Sequence, residues 1–193
     1  ILFYDLSYSM LKRVGLPLDQ FPVTSKVSYP NDMKTLDLLL LTLFKKDKDL
    51  VGEIYDTVSY SIEFLRFFTD RRIENISKEL LDINNKTPLY GAYNRIRIDP
   101  PQDERRTYGW HQEIFYTLPK TKFLQTWCPI LRDTTVENGT IEICPCSQKI
   151  GIAKQTWNEV KGHATQIIID SSEVAKFEQI SLPMSVGDIL FFD

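Results

Sequence analysis

The spacing of apolar residues along the chain changes character near residue 88. Before that point, apolar residues recur every three or four positions, which is the repeat of a helix with one buried face. Gly15 and Pro17 are placed to end the first of these helices. A polar break at residues 69–72 separates the last two. The predicted helices cover the opening stretch to Leu16, the apolar run Leu36–Phe44, residues 51–65 and residues 73–83.

From residue 88 onward, short runs of β-branched and aromatic residues alternate with turn residues, a pattern that predicts strands. Strands that follow a helical segment favour an α+β jelly roll with the helices packed outside it. We expect a single domain over residues 1–193, with a mainly helical part at 1–87 and the β core at 88–193. The predicted strands are Tyr90–Ile98, Gly109–Tyr116, Phe123–Leu131, Thr140–Cys144, Thr165–Asp170, Phe177–Leu182 and Asp188–Phe192.

The strand Gly109–Tyr116 carries the main candidate for chemistry. In an extended strand His111 and Glu113 point the same way, whereas Gln112 points to the other face. An imidazole and a carboxylate are two of the three ligands in the 2-His-1-carboxylate arrangement that holds Fe(II). The third ligand would be a second His. Such a pair arises by chance in about a quarter of random chains of this composition, so the surrounding sequence has to support it.

Five ordered blocks in the C-terminal half provide that support. Their order and spacing resemble the phytanoyl-CoA dioxygenase family of Fe(II)- and 2-oxoglutarate-dependent oxygenases. Members of that family show a His-Gln-Asp, an Asn-Gly before a strand ending in Pro-Gly-Ser-His-Lys, and a Gly-Asp-hydrophobic strand just before a distal His. The blocks here are Arg95–Pro101, Trp110–Glu113, Gln125–Ile130, Glu137–Lys149 and Gly187–Phe192.

The resemblance implies a cupin-like double-stranded β-helix and a dioxygenase that hydroxylates a small organic substrate. Molecular oxygen would be consumed and 2-oxoglutarate decarboxylated to succinate. His111 and Glu113 match the family's metal ligands for Fe(II). Arg95, Gln125 and Trp127 match the region that lines the 2-oxoglutarate site.

The chain departs from the family pattern at three places. Glu113 stands where most members have Asp, which keeps a carboxylate and favours hydroxylation, since related halogenases drop this ligand. Cys146 and Gln148 replace the Gly and His of the Pro-Gly-Ser-His turn. The distal His, and the Arg beyond it that pairs with the far carboxylate of 2-oxoglutarate, are expected just after Asp193.

Other interpretations compete with this one. Arg97 and Asp99 are equally well explained as residues of a solvent-exposed face, and Trp127 as a core residue. His163 has the setting of a solvated loop residue. The whole chain is also compatible with a jelly-roll binding module that has lost catalysis, or with a cupin-type metalloenzyme that does not use 2-oxoglutarate.

Composition narrows the range of partners. A net charge of −3 with scattered basic residues gives no footprint for nucleic acid. The longest apolar run is far shorter than the roughly 20 residues of a membrane span. Three cysteines without a Cys-x-x-Cys favour a reducing cytoplasm. The oligomeric state is not indicated, and the predicted loops Gln102–Tyr108 and Gly151–Gly162 carry no recognisable substrate signature.

Overall fold

In the computed structural model, helices fill the N-terminal part of the chain, as the spacing of apolar residues predicted. The helices there are α1 (Leu2–Arg13), α2 (Met33–Lys46), α3 (Lys48–Ser59), α4 (Ile62–Phe68) and α5 (Arg71–Leu80). The structure describes residues 1–23, 26–28, 33–91, 94–101, 103, 108–116, 122–158 and 166–193. Within these ranges, no helix is long and apolar enough to cross a membrane.

The chain divides into two compact units. The first comprises Ile1–Lys78 and Ile83–Asp103, and the second comprises Glu79–Asp82 and Glu104–Asp193. In the first unit, α1, α2 and α3 pack against one another in pairs. The core between them consists of residues from the predicted apolar faces, which are almost completely buried: Tyr4, Leu11, Leu39, Leu43, Val51 and Ile54.

Local signals explain where these helices begin and end. Asp47 caps α3, because its carboxylate accepts a hydrogen bond of 3.0 Å from the Asp49 amide. The hydroxyl of Ser61 caps α4 by accepting one of 3.1 Å from the Phe64 amide. The helix predicted over residues 51–65 is therefore two helices, separated at Tyr60–Ser61. Gly15 follows α1 with a φ of +70°, the left-handed conformation that ends many helices.

The second unit contains all six described strands and a short helix, α6 (Ser171–Val174). The strands pair in a nested order, β1 with β6, β2 with β5 and β3 with β4, and every pair is antiparallel. They form three two-stranded sheets, and no closed barrel is present in the described part of the chain. The strands are β1 (Gln125–Trp127), β2 (Ile141–Ile143), β3 (Gln155–Asn158), β4 (Gln166–Ile169), β5 (Ile180–Leu182) and β6 (Leu190–Phe192).

Five of the predicted strands contain an observed strand, whereas two predictions of strand structure were wrong. Gly109–Tyr116 contains a 3-10 helix, Glu113–Tyr116, and residues 109–112 belong to no strand, although the Trp110 carbonyl accepts one hydrogen bond from the Ile169 amide of β4. The described residues 94–98 of the predicted strand Tyr90–Ile98 form no strand either. There the amide of Ile96 donates to the Ser59 hydroxyl at 2.9 Å, so the bond that a strand partner would supply comes from α3.

The predicted loop Gly151–Gly162 was also wrong in part, because it contains β3. All four residues of β3 are exposed, which left no apolar alternation to indicate a strand. His163 and most of the predicted loop Gln102–Tyr108 lie outside the described residues.

Candidate functional site

His111 and Glu113 lie side by side in the second unit, although the strand that was expected to align them is absent. Nε2 of His111 is 3.1 Å from Oε1 of Glu113. The two side chains are 26% and 23% exposed, so solutes can still reach the pair. Their proximity arises because the chain turns into a 3-10 helix at Glu113, which brings the carboxylate back toward the imidazole.

The other nitrogen of the imidazole fixes the orientation of the ring. Nδ1 of His111 is 2.8 Å from the carbonyl oxygen of Gly109. A carbonyl only accepts, so Nδ1 carries the proton in this hydrogen bond and Nε2 is the nitrogen available to a metal. The Tyr108 ring packs beside the imidazole, with 5.9 Å between the ring centroids. Such a hydrogen bond from the distant ring nitrogen is what holds most metal-binding histidines in place.

Gln125 completes the contact by binding the far side of the carboxylate. Its Nε2 donates a hydrogen bond of 3.0 Å to Oε2 of Glu113. Gln125 lies on β1, where it pairs with Phe192 of β6, so its backbone is held by the sheet. The carboxylate therefore has one oxygen directed at His111 and the other held by an amide.

The pair has the separation that one metal ion requires. Two atoms that each bind an ion at about 2.1 Å, a right angle apart, lie about 3 Å from each other. The observed distance of 3.1 Å between Nε2 and Oε1 matches that requirement. When the imidazole is neutral with its proton on Nδ1, Nε2 and Oε1 are both acceptors, and a cation bound by both would make the contact favourable. Imidazole and carboxylate are also a donor set that suits Fe(II).

The described residues bring together two candidate ligands and not three. No group of three or more His, Cys, Asp or Glu side chains with metal-binding geometry occurs among them. The two residues that sequence analysis named as ligands are thus brought together, with Gln125 beside them.

Trp127 and Arg95 occupy other settings. Trp127 lies two residues beyond Gln125 on the same face of β1, opposite Leu190 of β6. Arg95 belongs to the first unit, where it is exposed and lines a cavity of about 270 Å³ together with Ser59, Tyr60, Leu65 and Asn94. Its neighbours Arg97 and Asp99 form an exposed ion pair of 3.1 Å, which confirms the interpretation of those two residues as a solvated face.

All three cysteines are free thiols, and two of them, Cys128 and Cys144, are partly buried as packing residues are. Burial raises the pKa of the Cys128 thiol. Burial, and secondly the charge of Glu142, raise the pKa of the Cys144 thiol. Both shifts disfavour the thiolate, which is the form that binds metals. Cys146 is exposed.

Sequence reasoning missed the part played by Gln112. Its side chain was expected on the face opposite His111 and Glu113, but no role was assigned to it. The Nε2 atom donates to the Gly151 carbonyl and the Oε1 atom accepts from the Ala153 amide, both at 2.9 Å. A Gln between two candidate ligands was the available signal, but nothing in the sequence indicated a partner about 40 residues away.

Comparison with known proteins gives one match. The family model described as phytanoyl-CoA dioxygenase (PhyH) matches residues 44–193. No curated protein and no solved structure matches the chain.

Proposed function

Since the chain belongs to the phytanoyl-CoA dioxygenase family, we propose that it is a non-haem Fe(II)- and 2-oxoglutarate-dependent oxygenase that hydroxylates a small organic substrate. The observation that carries the proposal is the contact between His111 and Glu113, with Nε2 and Oε1 at 3.1 Å. The family supports oxygenase chemistry, and the contact supports these two residues as its metal ligands.

In this proposal His111 and Glu113 hold Fe(II), which together with 2-oxoglutarate activates molecular oxygen for insertion into a C–H bond. The Gly109 carbonyl keeps a proton of the imidazole on Nδ1, so Nε2 is the nitrogen that would hold the metal. Gln125 holds Oε2 of Glu113, so the carboxylate offers one oxygen and leaves room for other ligands. A carboxylate held in this way favours hydroxylation over halogenation.

The cosubstrate residues remain part of the proposal. The direct bond from Gln125 to Glu113 supports a role for Gln125 in orienting the metal ligand, beside its assignment to the 2-oxoglutarate region. Trp127 on the same strand face would wall the cosubstrate site. Arg95 offers a cation at a cavity that is also lined by the amide of Asn94, whose buried Oδ1 has no hydrogen-bond partner among the described residues.

The nested pairing of the six strands supports a jelly-roll fold. A jelly roll is a long antiparallel hairpin rolled up on itself, so its first strand pairs with its last and its middle strands pair with each other. The observed order, β1 with β6, β2 with β5 and β3 with β4, follows this rule. The isolated antiparallel bridge between Thr134 and Met184 fits the same order, because Thr134 lies between β1 and β2 and Met184 lies between β5 and β6.

Binding of Fe(II) by ligand variants tests the proposal. We expect His111→Ala and Glu113→Ala each to abolish iron binding, because a site with three protein ligands does not keep its metal when one of them is removed. Calorimetry under anaerobic conditions measures the binding. Glu142→Ala serves as the matched control, since Glu142 is an exposed carboxylate on β2 that bonds to Ser181.

Iron binding by either ligand variant at the wild-type affinity would refute the assignment. A wild-type protein that binds no iron would instead favour the binding-module alternative.

A further inference from the structure

We propose that Gln112 is a positioning residue that fastens the metal-ligand segment to the chain at residues 151–153. Both ends of its carboxamide are used. Nε2 donates to the Gly151 carbonyl and Oε1 accepts from the Ala153 amide, each at 2.9 Å. The inference rests on the proposed function for what is positioned, namely His111 and Glu113, while the cross-link itself is independent of any metal.

The segment needs such a cross-link because it is not part of a sheet. A strand would hold its side chains through a ladder of backbone bonds, whereas residues 108–113 belong to no strand. Gln112 reproduces one rung of a ladder with its side chain, because its amide offers a donor and an acceptor as a peptide group does. The rung lies between the two candidate ligands in sequence, so it restrains both.

Two further hydrogen bonds hold the segment on the N-terminal side of His111. The Gly109 amide donates to Oε1 of Gln166 at 3.3 Å, and the Ile169 amide donates to the Trp110 carbonyl at 2.7 Å. Both partners lie on β4. The segment is therefore bonded at two places. Gly109 and Trp110 bond to β4, and Gln112 bonds to the residues just before β3.

The partners of Gln112 are themselves fixed. Gly151 has φ +70° and ψ −144°, a conformation that residues with a side chain rarely adopt, and it follows a 3-10 helix at Ser147–Ile150. Ala153 is buried, with 7% of its surface exposed. Without Gln112 its amide would lose its partner in a place with little access to water, which is costly. The cross-link therefore attaches the segment that carries His111 and Glu113 to a rigid part of the chain.

Three substitutions separate positioning from a general structural effect. Gln112→Ala removes both bonds, and Gln112→Asn shortens the side chain by one methylene so that it cannot reach both partners. Gln112→Glu keeps the acceptor for the Ala153 amide but loses the donor to Gly151. Gln148→Ala, at an exposed glutamine on the neighbouring 3-10 helix, is the matched control.

The first measurement is hydrogen exchange at the Ala153 amide in the metal-free full-length protein. We expect exchange to become faster in Gln112→Ala and Gln112→Asn, and to stay close to wild type in Gln112→Glu and Gln148→Ala. Unchanged exchange in Gln112→Asn overturns the cross-link, even if Gln112→Ala fails to fold.

The second measurement is the anaerobic affinity for Fe(II). Loss of a residue that orients metal ligands typically lowers metal affinity about 10- to 100-fold. We expect a loss of that size in Gln112→Asn and none in Gln148→Ala. Full wild-type affinity in Gln112→Asn, despite faster exchange at Ala153, overturns the positioning role. A wild-type protein without iron affinity overturns the proposed function, while the exchange experiment still decides whether the cross-link exists.

Discussion

At the scale of single residues, Glu113 is the centre of the candidate site, because its two carboxylate oxygens face different partners. One oxygen lies 3.1 Å from His111 and the other accepts a bond of 3.0 Å from Gln125. In the proposed site this division lets a Glu take the place where most of the family has Asp. The longer side chain reaches His111 from the start of a 3-10 helix, and Gln125 restrains the extra torsion.

Replacement of Glu113 by Asp measures how closely the site is built around the longer side chain. We expect Glu113→Asp to retain part of the iron affinity, since the charge and ligand type are kept. A loss of about 10- to 100-fold is expected, because the shorter carboxylate cannot reach His111 and Gln125 together. Calorimetric titration with Fe(II) checks this, with Gln125→Ala as the companion that removes only the restraint. Complete loss of iron affinity in Glu113→Asp but not in Gln125→Ala would show that the site depends on the length of the Glu113 side chain and not on its hydrogen bond to Gln125.

Cys146 occupies a backbone conformation that suits glycine. Its φ of +64° lies in the left-handed region, and it stands where the family's Pro-Gly-Ser-His turn has Gly. We expect Cys146→Gly to increase the free energy of unfolding by about 0.5–1 kcal/mol, which urea denaturation measures. Cys144→Gly, at a position outside that region, should destabilise the protein. Equal effects of both substitutions would contradict this explanation.

At the scale of elements, buried polar contacts tie helix ends to the turns that follow them. Lys78 of α5 is buried, with 6% of its surface exposed, and its ammonium group donates to Oε1 of Glu74 at 2.5 Å and to the Asn85 carbonyl at 2.7 Å. The hydrogen bond from Lys78 holds the pKa of the Glu74 carboxyl below its ordinary value. The bond from Lys78 to Asn85 links α5 to the turn at residues 84–87, and the bond to Glu74 holds the ammonium group in place for it.

This contact makes a pH-dependent contribution to stability. Since the folded protein lowers the pKa of Glu74, the contribution is present above the unfolded carboxyl pKa and is lost as the pH falls through the folded value. We expect Lys78→Met to destabilise the protein at neutral pH, and the difference from wild type to shrink on acidification. Thermal unfolding across the acidic range checks this. In Glu74→Gln the same Lys78→Met substitution should show no such pH dependence, and a persistent dependence there would refute the role of Glu74.

The elements also show how far the sequence could predict the fold. Helices were well predicted, because their buried faces repeat every three or four residues and caps such as Ser61 mark their ends. Strand β3 was missed because its residues are all exposed, so no alternation marks it. Gly109–Tyr116 has the composition of a strand, yet distant residues bond several of its polar groups: the Gln166 side chain, the Ile169 amide and the Gly151 carbonyl. Such distant partners leave no local signal.

The same reasoning applies to the site. The types of residue at positions 111 and 113 predicted a metal pair, and the two side chains lie side by side, but through a turn and not through strand alternation. The bond from Gln125 to Glu113 could not be predicted, because it depends on how β1 is placed beside the turn.

At the scale of the whole molecule, the match to the phytanoyl-CoA dioxygenase family confirms the resemblance found in the sequence. The nested pairing of six strands agrees with a rolled hairpin. The single-domain organisation and the cytoplasmic location stay predictions. So do the substrate and the use of 2-oxoglutarate by this chain.

The most direct test of the account is an anaerobic optical titration of the full-length protein with Fe(II) and then 2-oxoglutarate. An Fe(II) ion that is chelated by the keto acid absorbs visible light, so binding of metal and cosubstrate is observed without knowledge of the substrate. We predict a saturable visible band in the wild type that is absent in His111→Ala and Glu113→Ala and preserved in Glu142→Ala. A wild-type protein that binds Fe(II) without developing the band, or a band that persists in His111→Ala, would contradict the account.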